Sequence, residues 1–229
     1  MLNIKDVSLK LKSFNLNIDL KIYPKTITAV IGPSGSGKST LFDIISGFKK
    51  VNNGSIIWEN IDISKLEPSQ RPITILFQDN NLFPHLTAYQ NVALGLTTKL
   101  KNHDRFNLKI NEALSKVDML EYFNKYPSEL SGGQKGRIAL ARALVRKKPL
   151  LLLDEPFSAL GPGLRREMLN LVKEISNKNN LTVMIVTHDP SELLNVCNGA
   201  IIVAGNTATG PHKLQDLLNN PPNSLKDYL

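Results

Sequence analysis

Residues 32–40 have the composition and spacing of a phosphate-binding loop. The stretch matches the pattern G-x-x-x-x-G-K-[ST] at every position and consists of Gly32, Pro33, Ser34, Gly35, Ser36, Gly37, Lys38, Ser39 and Thr40. Glycines allow successive backbone N–H groups to point at one anion, and a following helix adds its positive end. In this motif the lysine binds the β- and γ-phosphates, and the hydroxyl of Ser39 binds Mg²⁺.

Both flanks of this loop support a ligand-binding role over a glycine-rich turn that binds nothing. Residues 27–31 form an apolar, β-branched run typical of a buried strand. Leu41, Ile44, Ile45 and Phe48 follow at the spacing of one helix face. Strand, loop and helix in this order are the context in which the motif binds nucleotides.

Four polar residues stand where other predicted strands end. Gln78 follows residues 73–77, Asp154 and Glu155 follow four leucines, and His188 follows residues 182–187. Ligands of open α/β sheets bind at the carboxyl ends of the strands, so we expect these side chains beside the phosphate loop.

These residue types suit the attack of water on a γ-phosphate. That reaction needs a metal ion, a group that orients water, and stabilisation of the charge on the moving oxygens. Asp154 suits Mg²⁺ together with Ser39 and Gln78, and Glu155 suits the general base. Gln78 also suits orientation of the water, and His188 suits a hydrogen bond to the γ-phosphate. Each signal is weak alone, but all four in this order predict hydrolysis.

The remaining pattern predicts one α/β unit over residues 1–229. Period-two alternation in residues 2–22 indicates two antiparallel strands, which residues 56–58 extend. Residues 86–147 are mostly helical in pattern and indicate a helical subdomain inserted into the sheet. After the strands near 150–153, 182–187 and 200–203, one short helix is expected at 214–218. The fold class is therefore a mainly parallel core sheet with an antiparallel β subdomain and a helical subdomain.

Composition excludes several classes of protein. The formal net charge is +8, but the lysines are scattered among asparagines, and no basic and aromatic surface for nucleic acid is evident. A single cysteine, Cys197, excludes an intramolecular disulfide. No apolar run reaches about 18 residues, so we expect no membrane-spanning helix.

A second group of motifs resembles the ATPases of ABC transporters. Leu130-Ser131-Gly132-Gly133-Gln134, followed by Asp154-Glu155-Pro156, resembles the signature and Walker B motifs of that family. With the phosphate loop, Gln78 and His188, the resemblance covers essentially the whole chain. It implies the P-loop NTPase fold of ABC-ATPase type, with ATP and Mg²⁺ as cofactors. It also implies that Ser131, Gly132, Gly133 and Gln134 face the ATP of a second copy, although Ser131 taken alone is equally a helix N-cap.

A narrower resemblance involves residues 71–87 and 90–96. These segments, which include the sequence Asn80-Asn81-Leu82-Phe83, resemble the ATP-binding subunit of bacterial thiamine or thiamine pyrophosphate importers. Subunits of iron(III), sulfate and polyamine importers are also similar, so the substrate stays open. The resemblance implies a transmembrane permease as partner, docked near residues 82–89, and a periplasmic solute-binding protein as indirect partner. It places the chain peripherally at the cytoplasmic face of the inner membrane.

Other classes fit the motifs less well. ABC ATPases that do not serve transport usually carry two cassettes or a long coiled-coil insertion, and P-loop kinases and GTPases lack the signature. A regulatory cassette that binds ATP without hydrolysis conflicts with Glu155 and His188. It stays open because Gly161 replaces the Asp that usually follows Ser-Ala-Leu in the family.

Two further positions depart from the family pattern. Gly136 replaces a residue that is usually large and polar, and glycine within a helix costs about 1 kcal/mol relative to alanine. Leu11 stands where an aromatic residue often stacks on adenine, so either Leu11 or the nearby Phe14 is expected to contact the base.

Overall fold

Groups of strands and groups of helices follow one another along the chain in the computed structural model, which describes residues 1–11, 14–77, 81–98, 106–226 and 228. The strands are β1 (Leu2–Leu11), β2 (Phe14–Ile22), β3 (Ile27–Ile31), β4 (Asn53–Trp58), β5 (Ile61–Asp62), β6 (Ile73–Leu76), β7 (Leu150–Asp154), β8 (Thr182–Val186), β9 (Gly199–Ala204) and β10 (Thr207–His212). The α-helices are α1 (Lys38–Ser46), α2 (Ala88–Ala93), α3 (Asn107–Ser115), α4 (Gly132–Leu144), α5 (Pro162–Asn179) and α6 (Leu214–Asn219). Short 3-10 helices cover Leu120–Tyr122, Pro127–Glu129, Pro190–Leu193 and Asn223–Leu225.

The described strands form one sheet with two kinds of pairing. Its order is β5-β4-β1-β2-β10-β9-β3-β8-β7-β6. Strands β9, β3, β8, β7 and β6 are mutually parallel, whereas β2, β1, β4 and β5 pair antiparallel. Strand β10 joins the two parts, parallel to β2 and antiparallel to β9. The predicted mainly parallel core with an antiparallel part is confirmed.

Helices alone connect β6 to β7 in the described part of the chain. Val92 on α2, Ile110 and Leu114 on α3, and Ile138 on α4 are all fully buried and belong to one apolar cluster. Residues 86–147 as the limits of a helical subdomain stay a prediction. No helix of the described residues is both long enough and apolar enough to cross a bilayer.

The parallel strands are covered on both faces. In β3, Ala29 and Ile31 pack into the apolar cluster that contains α4 and α5, while Val30 packs on the opposite face with Phe42 of α1. All five β3 residues are buried. This two-sided burial explains the continuous apolar runs that precede the candidate site residues.

Two local expectations were wrong, and one strand was missed. Helix α1 ends at Gly47, which has a φ of 88° and caps the helix in the left-handed conformation. Phe48 therefore lies beyond the helix, and 55% of it is exposed. The apolar spacing predicts that Leu120 shares one helix face with Ile110, Leu114 and Val117, but Leu120 is 43% exposed because α3 ends before it and Asp118, with a φ of 56°, turns the chain. Strand β10 was not expected at all.

Candidate active site

The sheet order brings the predicted functional segments together. Strands β3, β8, β7 and β6 are parallel neighbours, so the segments that follow them lie along one edge of the sheet. Those segments carry the phosphate loop, His188, and Asp154 with Glu155. Gln78 lies outside the described residues, and its role stays a prediction.

Close contacts and backbone conformation explain three glycines of the phosphate loop, which runs from the end of β3 into the first turn of α1. A Cβ on Gly32 would lie 2.0 Å from the Val203 carbonyl oxygen, so β9 approaches too closely for a side chain. Gly35 and Gly37 have φ values of 76° and 107°, which favour glycine. A Cβ on Gly37 would also lie 2.5 Å from Cζ of Phe14, whose ring therefore rests on the loop.

Lys38 begins α1 with its ammonium group turned toward its own loop. Its Nζ donates to the carbonyl oxygens of Gly32, at 2.7 Å, and Pro33, at 2.9 Å. Only 6% of the residue is exposed. Burial lowers the pKa of Lys38, and the Asp154 and Glu155 carboxylates oppose that shift. The positive charge is therefore enclosed by groups that a phosphate can replace.

Two hydroxyl groups of the loop, those of Ser36 and Ser39, have the arrangement that a phosphate and a metal ion require. Ser36 Oγ is buried and has no hydrogen-bond partner among the residues that the structure describes, which suits an incoming phosphate oxygen. The Ser39 hydroxyl lies close enough to the Asp154 carboxylate to lower its pKa. Burial raises the pKa of Asp154, while Ser39 and Lys38 oppose the shift. Ser34 is exposed and Thr40 is half-buried in the first turn of α1.

The Ser39 and Asp154 oxygens are donors of the kind that Mg²⁺ prefers. Within the described ranges, no group of three or more His, Cys, Asp or Glu side chains is placed to hold a metal ion. This donor set fits a Mg²⁺ ion that takes its other ligands from phosphate and water, as Mg²⁺ commonly does at nucleotide sites.

Glu155 and His188 form a direct pair. His188 Nε2 lies 2.5 Å from Glu155 Oε2, and the side chains are 58% and 13% exposed, respectively. Glu155 has a φ of 49°, an uncommon conformation for a residue with a side chain and one that often marks functional sites. Its backbone N–H donates to the Val186 carbonyl oxygen at 3.2 Å, which ties the turn after β7 to β8. A largely buried carboxylate held this way has the chemistry of a general base.

The predicted signature residues start α4. Ser131 Oγ accepts from the Gln134 backbone N–H at 3.3 Å, and Gln134 Oε1 accepts from the Ser131 N–H at 2.9 Å. Ser131 is therefore an N-cap within a capping box. A Cβ on Gly133 would lie 2.7 Å from Leu164, so glycine allows α5 to pack closely. Ser131 and Gly132 are exposed. Their contact with a second chain stays a prediction.

Three departures from the family pattern now have a structural setting. Gly161 is the N-cap of α5 without a capping side chain, and a Cβ there would meet no atom of the described residues within 4 Å. Nothing steric therefore requires glycine in place of Asp. A Cβ on Gly136 would make ordinary contacts, 3.6 Å from Met168. Of the two adenine candidates, Phe14 contacts the phosphate loop, and the Leu11 side chain lies outside the described residues.

Residues 82–89 are partly exposed and partly core. Phe83 is 47% exposed, Leu86 is buried, and Tyr89 is half-buried against the core. The fully buried Asn91, which the sequence did not single out, holds this segment: its Nδ2 donates to the carbonyl oxygens of Phe83, Leu86 and Thr87 at 3.0 to 3.1 Å. Its Oδ1 accepts from the Phe83 N–H at 2.9 Å.

An apolar groove lies beside this segment. It is lined by Ile75, Phe77, Asn81, Leu82, Phe83, Leu94 and Arg142. Phe77 is 37% exposed, and its ring lies 6.2 Å from the exposed ring of Phe48. Contiguous exposed aromatic rings of this kind mark surfaces that bind partners.

Comparison with known proteins places this geometry in a family. The family model described as "ABC transporter" matches residues 16–158. The thiamine import ATP-binding protein ThiQ of Ruegeria sp. strain TM1040 is 43% identical over 229 residues, which are 100% of this chain and 99% of that protein. Its counterpart in Cereibacter sphaeroides is 44% identical, with the same coverage of both chains.

Solved structures agree with this result. The ADP conformation of MJ1267, an ATP-binding cassette of an ABC transporter, superposes with a TM-score of 0.88 at 25% identity, covering 96% of this chain and 95% of that one. The dimeric post-hydrolysis state of the cassette MJ0796, bound to ADP and Pi, has a TM-score of 0.77 at 29% identity, covering 93% and 99%. The predicted ABC-ATPase type of fold is confirmed.

Proposed function

Because the chain belongs to the ATP-binding cassette family of ABC transporters, we propose that it is the ATP-hydrolysing subunit of a bacterial importer for thiamine or thiamine pyrophosphate. The observation that carries this proposal is the similarity to thiamine import ATP-binding proteins over the full length of both chains. We also propose that residues 1–229 act as a single ABC ATPase domain.

ATP is proposed to bind with its phosphates in the loop between β3 and α1. Lys38 exchanges its two carbonyl partners for phosphate oxygens, and the unpartnered Ser36 hydroxyl gains an acceptor. Ser39, Asp154 and Gln78 would hold Mg²⁺, which would neutralise charge on the phosphates. Phe14, which rests on Gly37, is the described aromatic side chain best placed for the adenine.

Hydrolysis is proposed to use the pair at the ends of β7 and β8. Glu155 accepts a proton from the attacking water, and Gln78 orients that water. His188 exchanges its contact with Glu155 for one with the γ-phosphate, which frees the carboxylate to act as the base. The two side chains therefore become catalytic only when a triphosphate is present.

A second copy of the chain is proposed to complete each ATP site. Ser131, Gly132, Gly133 and Gln134 stand at the start of α4, and the exposed Ser131 and Gly132 leave the helix N-terminus able to face the γ-phosphate of the partner. ATP then favours the closed dimer by its higher affinity for that state, and hydrolysis removes the bridge. The dimeric arrangement of the MJ0796 cassette supports this model.

The remaining partners are proposed from the surface and the relatives. The groove around Phe83 is the proposed docking site of a transmembrane permease, which would hold the chain peripherally at the cytoplasmic face of the inner membrane. A periplasmic solute-binding protein would act indirectly through that permease. Nucleic acid is not proposed as a partner.

Replacement of Glu155 by glutamine tests the hydrolysis and dimer proposals. The E155Q variant should lose ATPase activity by about 10²- to 10⁴-fold, since general-base catalysis contributes that much. It should also form a stable dimer with ATP and Mg²⁺ in size-exclusion chromatography with light scattering. Glu174→Gln, at an exposed position on α5, is the control and should behave as wild type. An E155Q chain that stays monomeric would contradict the sandwich model.

Reconstitution with the permease tests the substrate. Thiamine-loaded binding protein should stimulate the ATPase of the assembled transporter, whereas binding proteins loaded with iron(III), sulfate or polyamine should not. Stimulation by one of those alone would replace thiamine with that substrate.

A further inference from the structure

The segment after α6 returns to the phosphate loop. Leu225, at the end of the 3-10 helix Asn223–Leu225, is fully buried in the apolar cluster shared with α4 and α5. The Tyr228 N–H donates to the Leu225 carbonyl oxygen at 2.9 Å, and the Tyr228 ring packs against the same cluster. Tyr228 is therefore anchored by the core.

The Tyr228 hydroxyl spans the ends of two neighbouring strands. It donates to the Thr187 carbonyl oxygen at 2.9 Å, just after β8. It also lies close enough to the backbone N–H of Gly32, just after β3, for that group to lower the pKa of Tyr228. Burial raises the pKa of Tyr228 to about 12, so the hydroxyl keeps its proton at neutral pH and stays a donor. One side chain thus joins the phosphate loop to the segment that carries His188.

The ring of Tyr228 faces the phosphate-binding lysine. Lys38 Nζ lies 5.9 Å from the ring centroid, within the range of a cation–π interaction. Lys38 is otherwise enclosed by the carbonyl oxygens of Gly32 and Pro33. Tyr228 is therefore part of the immediate surroundings of the group that binds phosphate.

The position of His188 depends on the position of the Thr187 carbonyl group that precedes it in the chain. Thr187 Oγ1 accepts from the Asp189 N–H at 3.1 Å, and Asp189 Oδ1 accepts from the Ser191 N–H at 3.1 Å, so this turn is held by local bonds. The tyrosine supplies a further bond to this turn from 41 residues later in the chain. A shift of the Thr187 carbonyl moves the backbone of His188 and hence its contact with Glu155.

We propose that Tyr228 is a positioning residue for ATP hydrolysis, because its hydroxyl bond to the Thr187 carbonyl and its ring beside Lys38 hold His188 at a fixed distance from the phosphate loop. This inference rests on the proposed ATPase function. Removal of the hydroxyl should therefore lower the rate of the chemical step, because His188 acts on the γ-phosphate and not on the rest of the nucleotide.

Tyr228→Phe tests this role, because it removes only the hydroxyl. In the full-length chain assayed with Mg²⁺ and ATP, kcat should fall about three- to tenfold, the range that one lost hydrogen bond accounts for, with KM changed less than about twofold. Tyr228→Ala should lower kcat further and also raise KM, since the ring over Lys38 is lost. Tyr23→Phe, at an exposed position, is the control and should match wild type.

The possible outcomes separate this inference from the proposed function. If wild type hydrolyses ATP and Y228F has the same kcat, or Y228F only has a lower melting temperature, the positioning role is wrong. A Y228F rate above wild type would instead mean that the tyrosine blocks the site, and would overturn the proposal. A wild-type chain that hydrolyses no ATP, even with its permease, overturns the proposed function itself.

Discussion

Replacement of Arg71 by alanine should strongly destabilise the protein. Arg71 is 2% exposed and lies between α1 and the loop that precedes β6. Its guanidinium donates to the carbonyl oxygens of Ile44 at 2.9 Å and Ile45 at 2.7 Å, near the end of α1. It also donates to Ser64 at 2.8 Å and Leu66 at 3.0 Å. A planar, charged group with several donors is thus used to cap a helix that has no basic residue of its own in its last turn.

The size of the effect follows from these bonds. Each hydrogen bond contributes about 0.5–1.5 kcal/mol net, and buried carbonyl groups left without a partner add a penalty. The loss of all four bonds should therefore lower the free energy of unfolding by about 4 kcal/mol. Arg71→Lys keeps the charge but not the fork of donors, so we expect about 2 kcal/mol for that change.

Urea denaturation followed by circular dichroism measures the effect. With a slope of about 2.5 kcal/mol per molar urea, the midpoint of R71A should fall by about 1.5 M, and that of R71K by roughly half as much. The exposed Arg146→Ala is the control and should change stability by less than about 0.5 kcal/mol. A shift below about 0.4 M for R71A, with an unchanged slope, would refute the reasoning that these bonds are stabilising.

Two further perturbations test the docking segment and the interior. Asn91→Ala removes the hydrogen bonds that hold Phe83. The permease-stimulated ATPase activity should therefore fall more than about fivefold, while the basal activity changes less than about twofold. Undiminished stimulation would contradict this role. Burial raises the pKa of the Cys197 thiol to about 12, so its thiolate fraction at pH 8 should be about a thousandfold below that of an ordinary cysteine. Ellman's reagent should therefore react slowly with the native chain and rapidly in guanidinium chloride, and equal rates would show that the thiol is accessible.

The features predicted well from the sequence were those that local patterns determine. The phosphate loop is contiguous in sequence, and its glycines are required by the local backbone conformation, as the positive φ values of Gly35 and Gly37 show. Buried parallel strands read as continuous apolar runs, so β3, β7 and β8 and the polar residues at their ends could be assigned. The closeness of His188 and Glu155 then followed, because both residues come after parallel strands that end at the same edge of the sheet.

The features missed were those that depend on contacts distant in sequence. Tyr228 meets Thr187 and Gly32 only because the chain after α6 folds back over the sheet, and a single tyrosine near Pro221-Pro222 carries no signal of this. The sequence does not distinguish Arg71 from an ordinary loop residue, because the two carbonyl oxygens of α1 that it binds, those of Ile44 and Ile45, are 27 and 26 residues away. The end of α1 was placed too late, because the apolar period through Phe48 outweighed the left-handed cap at Gly47.

Burial of β3, β7 and β8 on both faces has a consequence for motion during the catalytic cycle. Strands packed on both faces open only in the least frequent fluctuations of a protein, so the floor of the nucleotide site acts as a rigid reference frame. Changes in nucleotide state must then be expressed as rearrangement of loops and helices above that frame. The turns that hold Glu155 and His188, with their side chains already in contact, are the first structures able to register such a change.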